Sequence, residues 1–176
     1  MEAALRPPLA QRINLRIVAF SLFVAVLVGG PLYIYLTEVV TGGIRQRGDV
    51  IEVNLKAMST FGFDQVNGTT DDIPRKWRDL DGKRVQLVGE MWTGNNIYDE
   101  VNQFELVYSI AKCCFSGPPQ IQHFVQSIAS TESGTVKYHH MRPVRVTGVL
   151  HVGVERADGK VSSVYRLDVE SVEPEA

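Results

Sequence analysis

Residues 144–169 read VRVTGVLHVGVERADGKVSSVYRLDV, two runs of alternating residues joined by Asp158-Gly159. In the first run Val144, Val146, Leu150 and Val152 fall on one side of an extended chain, and Arg145, Thr147 and His151 on the other. In the second run Val161, Tyr165, Leu167 and Val169 oppose Ser162, Arg166 and Asp168. A period of two is the mark of a strand with one face on a core. Asp-Gly readily takes the positive φ angles that a tight hairpin turn requires. The stretch therefore predicts an antiparallel hairpin buried on one side.

The same period recurs upstream. In Val85–Trp92, Val85, Leu87, Gly89 and Met91 share one face, while Gln86 and Glu90 mark the other. In Gln103–Ile110, Phe104, Leu106, Tyr108 and Ile110 oppose Gln103, Glu105 and Ser109. Gly89 and Gly148 sit centrally in their strands, where glycine permits a bend or bulge. Residues 120–128 are ambiguous. Ile121, Phe124, Val125 and Ile128 follow Pro119 at helical spacing, and a strand reading also stays open. The fold class expected is mainly β: an N-terminal transmembrane helix, then a small antiparallel β-barrel of the oligonucleotide/oligosaccharide-binding (OB) type, with room for one short helix. Leu87, Leu106, Val146 and Leu167 should share its core.

Ile17–Leu36, IVAFSLFVAVLVGGPLYIYL, contains no charge. As a helix rising about 1.5 Å per residue it covers about 30 Å, the thickness of a bilayer's hydrocarbon. Gly29-Gly30-Pro31 marks a possible kink site within it. Arg12 and Arg16 lie close before the run, whereas Arg45 and Arg47 lie farther beyond it. The positive-inside rule then puts the N-terminus in the cytoplasm and Tyr33 and Tyr35 at the outer interface. A cleaved signal peptide would have a shorter apolar run and a small-residue cleavage site, and Thr37-Glu38-Val39-Val40 offers none. The expected organisation is a cytoplasmic N-terminus over 1–16, a transmembrane helix over 17–36, a stalk over 37–60 and an extracytoplasmic OB-like domain over 61–176. From Thr37 onward the chain has 15 Lys or Arg against 19 Asp or Glu, a net charge of −4. A nucleic-acid surface needs a basic stripe, and none is present.

Three stretches carry a resemblance: DGKRVQLVGEMW (81–92), QFELVYSIAKCCFSGPPQIQHFV (103–125), and RPVRVTGVLHVG (142–153) with VYRLDVESV (164–172). Together they resemble a family of bacterial envelope proteins known as a domain of unknown function, with an N-terminal membrane or export segment and a small β-domain. The resemblance covers roughly residues 74–173. It implies an envelope location and a β fold, and it favours an extended chain over Phe124–Ile128. It implies no activity.

Cys113 and Cys114, the two cysteines of the chain, precede Gly117-Pro118-Pro119. Adjacent Cα atoms lie about 3.8 Å apart, below the roughly 4.4–6.8 Å of ordinary disulfides, so a bridge between these two would be strained. Adjacent thiolates also miss the spacing of structural zinc sites, although Cu(I) tolerates them. Packing alone, with Phe115 and the cysteines covering one barrel end, is the role that the frequent burial of free cysteine favours for this stiff loop, and two functional roles stand beside it. Cys113, Cys114, Phe115, Pro118 and Pro119 could meet a ligand or partner. Alternatively, Cys113 and Cys114 could hold a metal with His123, His139 and His140. No haem attachment motif, nucleophile elbow or phosphate loop occurs. The expected function is thus a non-catalytic, single-pass binding or assembly module in the inner membrane of a bacterial envelope, its partners being the membrane and another envelope membrane protein, with no nucleic acid. The alternative is a metal- or thiol-handling protein using Cys113 and Cys114.

Overall fold

In a computed structural model that describes residues 14–94, 99–111 and 117–175, Asp158 and Gly159 both take positive φ, 51° and 78°. They fold Pro143–Ala157 and Lys160–Pro174 into one long antiparallel hairpin. In chain order the elements are α1 (Leu15–Thr41), β1 (Ile44–Arg47), β2 (Val50–Val53), α2 (Leu55–Ser59), α3 (Arg75–Arg78), β3 (Lys83–Trp92), β4 (Glu100–Val101), β5 (Gln103–Val107), β6 (Val125–Ala129), β7 (Val136–Lys137), β8 (Pro143–Ala157) and β9 (Lys160–Pro174). Single 3₁₀ turns occupy Thr70–Asp72 and Ile121–His123.

The chain divides between Gly42 and Gly43 into two compact units. In the first, α1 continues through Pro31 without a break in helical assignment. Its Leu15–Tyr33 stretch has a mean hydropathy of 2.1 and is long and apolar enough to cross a membrane.

The second unit is mainly β. A seven-stranded mixed sheet runs β1-β2-β3-β5-β6-β9-β8, and β3 also pairs with β8. β6 and β9 are parallel, as are β2 and β3; the other pairings in this sheet are antiparallel. β4 and β7 form a separate two-stranded ribbon. The sequence reading placed 37–60 in a stalk, whereas the compact unit begins at Gly43 and includes β1, β2 and α2. The alternation of Val50–Leu55 predicts a short strand, which β2 forms over Val50–Val53, while its parallel pairing with β3 has no hairpin turn to announce it. The ambiguity at 120–128 resolves into both readings in succession, a 3₁₀ turn at Ile121–His123 and then β6.

β3 changes neighbours along its length. Its first part lies between β2 and β8, with Leu87 opposite both Val53 and Val146. From Glu90 to Trp92 it pairs with β5. Gly89 stands at the exchange. A Cβ there would come 2.5 Å from the carbonyl oxygen of Val107 and 2.9 Å from Cδ2 of Leu55. The absent side chain thus lets β5 and α2 close on the same point of β3. Gly148 serves the β8–β9 ladder similarly: the register shifts between Thr147 and Gly148, and a Cβ would strike the Asp168 carbonyl.

Alternation along the strands sorts the side chains. Val85, Leu87 and Met91 of β3, Leu106 of β5, Val125 of β6, Val144, Val146 and Leu150 of β8, and Tyr165, Leu167 and Val169 of β9 are fully buried. The Tyr165 phenol donates to the carbonyl of Met58 at 3.2 Å, tying α2 to the core, and burial holds its pKa well above the usual phenol range. Asn54 caps α2 by accepting from the Ala57 amide at 3.0 Å. Thr147, expected on the polar face, is buried and accepts a hydrogen bond from Gln86 at 3.2 Å.

Leu87→Ala, Leu106→Ala and Leu167→Ala should each lower unfolding free energy by about 2–5 kcal/mol, since each empties a sealed core position. Val88→Ala, one residue away on the exposed side of β3, should change it by about 0.5 kcal/mol or less. Gly89→Ala should destabilise by about 1–3 kcal/mol through the clash with Val107. Denaturant melts of the set check the strand facing, and equal losses at Leu87 and Val88 would contradict it.

A candidate binding cleft on the outer face

One row of opposed residues crosses the outer side of the sheet. Trp92 on β3 faces Glu105 on β5, Glu105 faces Gln126 on β6, Gln126 faces Arg166 on β9, and Arg166 faces His151 on β8. The strands turn their apolar residues inward at the positions between, so this row is necessarily outward. At its Trp92 end lies an open cleft of about 230 Å³, lined by Trp92, Glu105, Ile121, Phe124, Gln126 and the Ser162–Ser163 pair.

Two aromatic rings frame this cleft. Trp92 is 43% exposed, and its ring centroid lies 6.4 Å from that of Phe124 at an interplanar angle of 57°. Phe124 and Ile121 are held by the 3₁₀ turn, which a buried amide network anchors. Gln122, fully buried, donates to the Phe61 carbonyl at 3.0 Å and to Gln120 Oε1 at 2.6 Å. Gln65 donates to Gln122 Oε1 at 2.9 Å and accepts from the Ile121 amide at 2.8 Å. The 61–66 loop thus sets the wall of the cleft from 57 residues away in sequence. That loop is itself fastened to the hairpin by Arg156, which donates to the carbonyls of Val66 and Gly68.

Glu105, opposite Trp92 on the neighbouring strand, brings a carboxylate to the same cleft. Burial raises the Glu105 pKa above the ordinary glutamate value, and among the described residues no charge or hydrogen bond opposes that shift. The cation in the same row, Arg166, is already committed: it contacts Glu155 at 3.4 Å and Asp168 at 3.6 Å. His151 completes that group at 2.9 Å from Asp168. These charges of β8 and β9 lie against one another, although the buried Nε of Arg166 makes no hydrogen bond, whereas Glu105 has no such neighbour among the described residues. Ser163, on the far wall, gives its hydroxyl hydrogen to the Tyr165 carbonyl at 3.0 Å.

The residues singled out from the sequence lie elsewhere. Cys113, Cys114 and Phe115 lie outside the described residues. Pro118 and Pro119 are exposed. His123 ends the 3₁₀ turn, and burial lowers its pKa. His139 and His140 follow β7, where the His140 ring lies 6.1 Å from Tyr138. Burial also lowers the His139 pKa, aided by the charges of Lys137 and Arg142. Among the described residues no three His, Cys, Asp or Glu side chains gather in a way that could hold a metal ion. The cleft residues were visible in the sequence only as ordinary members of strand faces. The available signal was Trp92, a large aromatic on the outward side of β3.

Neither a protein-family model nor a curated protein matches the chain. Among solved structures, the crystal structure of a DUF3299 family protein from Pseudomonas aeruginosa PAO1 is similar. It is 21% identical, with 69% of this chain and 79% of that chain covered and a TM-score of 0.43. At that level of likeness the site rests on this chain's own geometry.

The Glu105 environment has a measurable consequence. With the folded-state pKa raised above the unfolded one, the folded chain holds more proton between the two values, so stability falls as pH rises through that window. Glu105→Gln removes this loss. Its melting temperature should exceed that of the parent at pH 7, and the gap should close as pH drops to about 4, near the unfolded glutamate pKa. A gap independent of pH, or of opposite sign at pH 7, would contradict the environment described.

Proposed function

We propose that the chain is a non-catalytic binding or assembly module of a bacterial envelope, anchored in the inner membrane by α1 and presenting its β-domain outside the cytoplasm. The observation that carries this reading is the cleft: an aromatic-framed concavity holding one uncompensated carboxylate, on a rigid sheet. A concavity of this kind suits contact with a group presented by another molecule.

The strand pairings support the OB-type barrel. The circuit β3–β5–β6–β9–β8 returns to β3, with β6 and β9 parallel and the remaining pairs antiparallel. Counting within the circuit, β5 and β6 are its second and third strands, the face that OB-type barrels use for ligands. Glu105 and Gln126 lie on those two strands. For the anchor, the apolar Leu15–Tyr33 stretch and the preceding Arg12 favour an N-in, C-out arrangement. The partner is another envelope membrane protein, met at the membrane surface.

A reporter that needs the periplasm to become active, fused after Ala176, should be active, and activity only with a cytoplasmic reporter would overturn the placement. In the same cells, a photo-activated cross-linking residue at position 126 should give a discrete adduct. The same residue at position 158, on the hairpin turn, should not. Identical patterns at both positions, or no adduct at 126, would remove the cleft from the reading.

A further inference from the structure

We infer that the cleft recognises a cationic side chain, the guanidinium or ammonium group of an Arg or Lys presented by the partner protein. This rests on the binding-module reading above and names the chemistry of its ligand.

Four observations converge. First, Glu105 is a partly buried carboxylate lining the cleft, and among the described residues no cation or hydrogen-bond donor meets it. A buried carboxylate of this kind is stabilised chiefly by a positive charge brought to it. Second, Trp92 and Phe124 present rings 6.4 Å apart at the same cleft. Aromatic faces attract cations through the ring quadrupole, and they attract guanidinium additionally through planar stacking. Third, the chain's own candidate for the role, Arg166 in the same cross-strand row, is held by Glu155 and Asp168. Fourth, at about 230 Å³ the cleft is smaller than the roughly 300–1,000 Å³ of sites for drug-sized molecules, and it suits the end of one side chain.

A neutral sugar could also stack on Trp92, but stacking and hydrogen bonding to a sugar hydroxyl do not require an ionised acid. An amide would serve that purpose without the penalty of burying charge, and Gln126 is already present beside Glu105. The carboxylate is the element that a cation explains and a sugar does not. Net charge agrees in sign: the part of the chain from Thr37 onward is at −4 and would draw a basic partner toward it.

The test uses the full chain in lipid nanodiscs, with the Trp92 indole NMR signal assigned by Trp92→Phe. The probes are N-acetyl-arginine methylamide, the corresponding lysine amide, and the citrulline amide, which keeps the arginine shape but lacks its charge. The arginine and lysine amides should shift the Trp92 signal saturably, with Kd of the order of 1 mM for a single side-chain contact. The citrulline amide should bind at least tenfold more weakly. Glu105→Gln should abolish the difference between arginine and citrulline while melting no lower than the parent, which separates lost recognition from lost folding. Affinity should also fall as pH is lowered through the raised Glu105 pKa, because protonation removes the charge that the ligand meets. Equal binding of the arginine and citrulline amides, no saturable shift with either cation, or undiminished arginine binding by Glu105→Gln would each overturn the inference. Saturable binding of a chito-oligosaccharide that survives Glu105→Gln would overturn it too. A position-126 adduct that persists in Glu105→Gln cells would reject the cation while leaving the binding module intact.

Discussion

The structure depends on one strand changing partners at a residue that has no side chain. β3 runs beside β8 as far as Glu90, while its other neighbour changes from β2, which ends at Leu87, to β5, which begins at Glu90, and Gly89 lies at that exchange. A single methyl group there would meet both the Val107 carbonyl and Leu55. Because β3 contacts strands from three parts of the sequence, its facing determines theirs. With Leu87 and Met91 turned inward, Leu106, Val146 and Leu150 are drawn to the same core, and Trp92 and Glu105 must face outward. A shift of one residue in β3 would exchange these two sets.

The same constraint explains why a costly group occupies the outer face. An outward glutamate on an open sheet is ordinary and well hydrated. Here the 3₁₀ turn at Ile121–His123 brings Phe124 toward Trp92 and raises a wall beside Glu105, which removes water without providing a charge in return. The wall is fixed firmly by the buried amide of Gln122 and its bonds to Phe61 and Gln65. Glu155 and Asp168 on the neighbouring strands, by contrast, have Arg166 beside them. Stability is reduced at the one place where contact with another molecule would restore it, a trade-off common to binding sites.

Much of the architecture was legible in the sequence, and the reason is physical. The β8–β9 hairpin, β3 and β5 each have one buried and one solvated face, so hydrophobicity alternates over five or more residues, and the Asp158-Gly159 turn fixes their order. Leu87, Leu106, Val146 and Leu167 are fully buried as that pattern requires. β2 is legible in the alternation of Val50–Leu55, whereas the four residues of β1 lie between turn-like glycines and show little period. The cleft was not legible, because desolvation of Glu105 arises from the packing of Phe124, and that in turn hangs on Gln65 and Gln122, far apart in the chain. No local pattern records such an arrangement. Cys113 and Cys114, conspicuous in the sequence by their rarity, lie outside the described residues.

The most direct measurement is the Glu105 pKa itself, followed by carbon NMR of its side-chain carboxyl across a pH titration of the full chain. The value should lie above the ordinary glutamate pKa of about 4.3. It should move downward when N-acetyl-arginine methylamide is added, because the cation favours the ionised form. A Glu105 that titrates at the ordinary value, and does not respond to the arginine amide, would contradict both the desolvated cleft and the ligand assigned to it.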